Sequence, residues 1–168
     1  TFNLNARAAS IDTPLHGLLP FKHIDHVHPD AIIALAAARN GEQATREIWG
    51  DSMGWLAWQR PGFDLGIRLR DYVAAHPNLR GVMLAGHGVI CWGDTSKDCY
   101  DNTIELVADA AHHLNTALGN TAAFGGERIR PLNNALRNAH AAALMPRLRG
   151  LMNTGIPKIG HFSDTAET

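Results

Sequence analysis

Three things are scarce in this 168-residue sequence, and each scarcity excludes something. Cysteine occurs only at Cys91 and Cys99, without CxxC spacing. A disulfide framework is thereby excluded, and a reduced, cytoplasmic chain is the expectation. Neither sign of charge is in excess, since 15 Lys and Arg against 16 Asp and Glu give −1. That leaves no electrostatic footprint for nucleic acid or an anionic membrane. Long apolar runs are missing as well. The longest, residues 31–38, is alanine-rich and far short of the roughly 20 residues a membrane span needs. The opening TFNLNARAAS has no basic region followed by a hydrophobic one, so no signal peptide is read there. With no initiating Met, the chain is expected to be processed or cut from something longer.

Histidine, by contrast, is plentiful at ten residues, and a 45% hydrophobic content suffices for one domain with a real core. Asp12 and Thr13 ahead of Pro14 predict a short helix. HIDHVH (23–28) alternates like a strand. Pro29 and Asp30 open a helix over 30–40, with Asn40-Gly41 as its closing signal. Residues 42–62 are mixed, with a short strand near 54–59. Phe63, Ile67, Leu69 and Val73 share helical spacing, and that helix stops before Pro77. GVMLAGHGVICWG (81–93) suits two buried strands joined by a tight turn near 86–88. Asp94 and Thr95 cap a long helix with Ile104, Val107, Ala108, Ala111 and Leu114 on one face, ending near Gly119. A second amphipathic helix covers about 133–149. Strands alternating with helices indicate a layered α/β domain.

Residues two apart on a strand point the same way, so His26 and His28 project together with Ile24, while His23, Asp25 and Val27 face oppositely. Neighbouring imidazoles suit a divalent metal, but a catalytic zinc site takes three protein ligands and an open position. His87, between Gly86 and Gly88 at the end of a buried strand, is the best third candidate. A lone buried histidine is more often hydrogen-bonded core. Taken jointly, His26, His28 and His87 favour the metal over a packed, metal-free cluster. The other candidates read more plainly. His23 and Asp25 suit a surface or interface hydrogen bond, His16 a structural role, and His112 and His113 a solvated or interface face. Trp49, Trp55, Trp58 and Trp92 suit core or subunit contacts, and Arg60 a structural loop.

Three strings, SIDTPLH, HIDHVHPDAI and MLAGHGVICWGDT, together resemble the class II aldolase/adducin family. ATREIWG, GWLAWQRPGFDLG, LMPRLRG and PKIGHF resemble more closely the aldolase part of bifunctional rhamnulose-1-phosphate aldolase/short-chain dehydrogenase proteins. The resemblance runs over residues 2–164 and rests on the order and spacing of the motifs. It implies a three-layer α/β/α fold with a central, mainly antiparallel sheet flanked by helices. It further implies an aldolase-like domain over 1–150, lacking upstream phosphate-binding elements. Residues 151–168 would then be a tail toward a dehydrogenase domain whose GxGxxG fingerprint is not in this sequence.

By the same resemblance, His26, His28 and His87 match ligands of Zn2+, and Asp12 matches an acid/base carboxylate. The family writes that carboxylate as Glu in a Ser-Ser-Glu string; here the string is Ser10-Ile11-Asp12. Ser10 matches a phosphate-contacting serine, Ile11 has no hydroxyl, and Asp for Glu shortens the reach by about 1.5 Å. The implied activity is cleavage of a ketose 1-phosphate, L-rhamnulose 1-phosphate, to dihydroxyacetone phosphate and L-lactaldehyde. Three neutral imidazoles leave a dication its full charge to stabilise the enediolate that cleavage forms. A sugar-phosphate epimerase or dehydratase of the family would use the same ligands. A non-enzymatic adducin-like scaffold would not need them. The resemblance also implies a homotetramer with active sites at subunit contacts.

Overall fold

The structure is a computed structural model that describes residues 9–121 and 129–163. The chain divides into two compact units, Thr1–Asn120 and Thr121–Thr168. In the first, α1 (Thr13–Gly17) is followed by β1 (His23–Val27), α2 (Asp30–Ala37) and α3 (Gly41–Trp49). After a 3-10 turn come β2 (Met53–Leu56), α4 (Phe63–Ala75), β3 (Gly81–Leu84), β4 (Gly88–Gly93) and α5 (Ser96–Leu118).

The strands form one sheet in the order β1-β4-β3-β2. β1 pairs antiparallel with β4, β4 antiparallel with β3, and β3 parallel with β2. Helix α4 supplies the crossover that a parallel pair requires. The side chains of the sheet feed two cores. On one face Met83, Val89 and Cys91 pack with Ile32 and Leu35 of α2, Ala44 of α3 and Leu106 of α5. On the other Val82, Leu84 and Ile90 pack with Leu15 of α1 and Leu65 and Leu69 of α4. The fold is the expected three-layer α/β/α arrangement around a mainly antiparallel sheet.

Local chemistry explains most of the boundaries. Thr95 and Asp98 form a reciprocal capping box at the start of α5, satisfying two backbone donors that a helix end leaves open. Gly86 takes φ +64° in the three-residue turn between β3 and β4, a conformation that costs glycine little. The sequence reading missed α3. Asn40-Gly41 does not close a helix; α2 ends at Ala37, and Gly41 opens the next one. A Cβ at Gly41 would lie 2.3 Å from the Leu35 carbonyl oxygen and 2.7 Å from the Trp55 ring, so its bare backbone serves close packing.

Two further expectations shift. β2 stops at Leu56, so residues 57–59 lie in a loop. Ile104 is not on the buried face of α5, being 49% exposed. That face is Cys99, Thr103, Leu106 and Ala110. Among the tryptophans Trp49 and Trp92 are core, Trp55 is half-buried, and Trp58 lies largely in solvent.

In the second unit, α6 (Asn134–Met152) begins at Asn133, whose side-chain oxygen accepts from the Leu136 amide. It runs past the expected domain boundary at 150 and carries Pro146 within it. None of its residues is buried. No helix among the described residues is long and apolar enough to cross a membrane.

Candidate metal centre

Two antiparallel connections bring the histidines together. The β1–β4 register places His26 opposite Ile90 and Val27 opposite Val89. The end of β1 therefore lies beside the turn that opens β4, and His87 stands in that turn. Ile24 packs into the core on the α1 and α4 side and Val27 into the other, so strand alternation points His26 toward the α1 layer. β1 ends at Val27, so His28 projects from the first residue beyond the strand.

His26 Nε2 lies 3.1 Å from His28 Nε2 and 3.2 Å from His87 Nε2. One ligand atom from each residue falls within 4.8 Å of every other. Tetrahedral zinc, with Zn–N distances of about 2.0–2.1 Å, sets its ligand nitrogens about 3.3 Å apart. The cluster is therefore of metal-binding size.

Tautomers strengthen that fit. His26 Nδ1 lies 3.0 Å from the Val89 carbonyl oxygen, which can only accept, so Nδ1 carries the proton. The neutral ring then offers its Nε2 lone pair toward the other two imidazoles, with its orientation fixed by a backbone partner. A single lone pair cannot satisfy two ring nitrogens at hydrogen-bond distance, whereas a cation can accept lone pairs from all three. The His26 pKa is lowered to about 4, chiefly by burial; the Val89 hydrogen bond opposes this, positive charge on His87 and His28 adds to the lowering, and Asp12 opposes it slightly. His87 is also lowered, by burial first and His28 second.

Asp12 precedes the first turn of α1, in the N-cap position, yet its side chain makes no capping bond. Among the described residues its Oδ1 is buried without a partner, and its charge is felt at both His26 and His87. An unsatisfied buried carboxylate oxygen costs free energy unless a ligand or cation meets it. Ser10 is exposed, and its Oγ accepts from the Asp12 amide at 3.2 Å, with no acceptor for its hydroxyl proton among the described residues. The structure thus sets Ser10 beside Asp12, and Asp12 within electrostatic reach of the triad. His16, His112 and His113 are not part of the triad.

The sequence reading did not find the Val89 carbonyl, because a backbone acceptor leaves no side-chain signal. Gly88 was visible only as a flank to His87. A Cβ on Gly88 would sit 2.4 Å from His28 Cδ2 and 2.7 Å from the Val27 carbonyl oxygen. Gly88→Ala is therefore expected to displace His28, weakening metal binding on the order of 10-fold or more. It should also destabilise the fold by about 1–3 kcal/mol through overpacking. A chelator competition titration and a thermal melt read the two effects separately.

The fold is thus an α/β/α layer whose three-histidine cluster could hold a divalent metal within electrostatic reach of Asp12, whose Oδ1 has no partner among the described residues. The chain belongs to the class II aldolase and adducin N-terminal domain family, whose model matches residues 3–114. It is 40% identical over 155 residues to an uncharacterized oxidoreductase, YuxG, of Bacillus subtilis (strain 168). That match takes in 92% of this chain but only 22% of the relative, so the chain spans about a fifth of that protein's length. Among solved structures, the N-terminal class II aldolase domain of a conserved Thermoplasma acidophilum protein is similar at 29% identity with a TM-score of 0.59. The alignment covers 67% of this chain and 51% of that one.

The lowered histidine values have a consequence for metal-free protein. Between pH 6.5 and about 4 the unfolded chain protonates at position 26 while the folded chain resists, so acid favours unfolding. Stability contributed by neutral His26 is fully present above pH 6.5 and is lost as pH falls toward 4. Thermal melts of metal-free protein should show Tm dropping through that window, and His26→Ala should flatten the slope. An unchanged slope in the variant would assign the titration to other groups.

Proposed function

We propose that this chain carries the metal-binding part of a zinc-dependent aldolase that cleaves a ketose 1-phosphate, with L-rhamnulose 1-phosphate as substrate. One observation carries the reading: three imidazole nitrogens converge within electrostatic reach of Asp12, whose Oδ1 is buried with no partner among the described residues. His26, His28 and His87 would hold the ion, which when bound supplies Lewis-acid stabilisation of charge developing on substrate oxygens. His26 is held in its ligating tautomer by Val89. Asp12, with its free Oδ1, would take and return the proton at substrate carbon or oxygen. Ser10, whose hydroxyl proton is uncommitted, would donate to the phosphate. The products would be dihydroxyacetone phosphate and L-lactaldehyde.

The choice of rhamnulose 1-phosphate rests on the motif resemblance from ATREIWG through PKIGHF. The naming of the Bacillus subtilis relative as an oxidoreductase fits a longer polypeptide in which a dehydrogenase domain accompanies the aldolase domain. We accordingly propose residues 1–150 as the aldolase-like domain and 151–168 as a tail leading onward, in a homo-oligomer of cytoplasmic location. The deciding experiment is a cleavage assay of the intact polypeptide against several ketose 1-phosphates, with zinc added and removed. Dihydroxyacetone phosphate formed from rhamnulose 1-phosphate supports the reading. An epimer or a dehydrated product in its place would assign the same ligands to a different reaction, and no turnover with metal bound would point to a scaffold.

A further inference from the structure

Behind the histidines, on the opposite face of β1, lies a polar cluster that the proposed reaction does not use. Asp25 sits mid-strand between Ile24 and His26, with its cross-strand partner Cys91 on β4. Its Oδ2 accepts from Thr103 Oγ1 on α5 at 2.7 Å. The same Thr103 oxygen lies 3.1 Å from Cys91 Sγ and 2.9 Å from the Cys99 carbonyl oxygen. Thr103 is only 7% exposed, among Cys91, Cys99 and Leu106. Burial pushes both thiols up in pKa, so neither is poised as a nucleophile or redox centre.

A carboxylate facing an apolar layer is a poor device for stability, because its desolvation offsets much of what its bonds return. Its location suggests another use. Thr103 Oγ1 reaches β1, which delivers His26 and His28, and also β4, which leaves the turn holding His87. That one hydroxyl ties together both strands that position the candidate ligands. Among the described strands β1 lies at the edge of the sheet, paired only with β4, and a shift of an edge strand along or away from its neighbour would move His26 relative to His87.

We propose that Asp25 and Thr103 are positioning residues that hold the histidine triad at metal-binding geometry. This rests on the metal reading above. The Asp25 carboxylate, gripped by the Thr103 hydroxyl and backed by Cys91, docks β1 on α5. With β1 fixed, the imidazoles leave the opposite face of the strand at a set height. Neither residue touches the metal or substrate; each acts through β1.

Cobalt(II) is the probe, since its visible spectrum reports coordination geometry, and zinc affinity is read by chelator competition on the full chain. Thr103→Val removes the hydroxyl while keeping the shape. It is expected to weaken zinc binding on the order of 10-fold, as loss of an outer partner does, and to alter the cobalt spectrum. Thr103→Ser restores the donor and should restore both. Asp25→Ala and Asp25→Asn form an independent pair in case the valine variant does not fold; Ala should lose affinity, while Asn keeps an acceptor and most of it. Wild-type affinity and spectrum in a folded Thr103→Val or Asp25→Ala variant would overturn the positioning role alone. A wild-type chain that binds neither cobalt nor zinc would overturn the metal reading and this inference with it.

Discussion

Alanine at position 26 or 87 is expected to strip the protein of metal. Wild-type chain purified without a histidine tag should carry close to one zinc, and either variant should carry essentially none. The loss should exceed about 100-fold in affinity, the upper end for removing an outer partner, because here a ligand itself is deleted. The geometry makes the two changes equivalent. His26 is the hub, with Nε2 within 3.2 Å of both other imidazoles. His87 is the member that comes from a distant part of the chain. Two remaining imidazoles cannot complete the three-ligand set that a catalytic zinc site uses. Elemental analysis together with a competition titration decides the matter. Full metal retention in both variants would remove the ligand assignment, whatever the enzymatic activity.

Asp12→Asn should act in the opposite sense, leaving metal in place while the proposed carbon–carbon cleavage by the intact polypeptide falls by about 10²–10⁴-fold. The substitution keeps the side chain's size and removes its capacity to take a proton. Metal-free stability should not fall, since the carboxylate makes no capping bond for α1 and the amide removes a buried charge. Side-by-side metal content, melting temperature and turnover separate a lost base from a damaged fold. Undiminished cleavage would mean that another group moves the proton. Because Asp is shorter than the Glu of the resembled motif, Asp12→Glu offers a further comparison. Its longer side chain must fit where the Asp12 Oδ1 already lies buried.

The candidate site was legible in the sequence to the extent that its parts are local. HxH on an alternating strand and His87 between two glycines are short-range patterns, and each predicts where a side chain leaves the backbone. Helix α3 was not legible, because of its buried residues Gly41, Ala44, Thr45 and Trp49 only the last, at its C-terminal end, carries a strong apolar signal. Ile104 misled for the converse reason. Its strong apolar character suggested burial, yet the sheet beneath α5 contacts the stripe of Cys99, Thr103, Leu106 and Ala110. Asp25 read as a surface or interface residue because nothing in the chain near it announces Thr103, 78 positions away.

The sequence by itself determined the ligand types, the strand that aims His26, and the turn that holds His87, since φ/ψ preferences and side-chain alternation act over a few residues. Tertiary structure alone decided that these pieces meet. The β1–β4 register closes a gap of 61 residues between His26 and His87, and a shift of one residue would turn His26 to the other face of the sheet. It also supplied the Val89 carbonyl that fixes the tautomer and left Asp12 Oδ1 without a partner among the described residues, because backbone acceptors and unpaired oxygens acquire meaning only from what packing places around them.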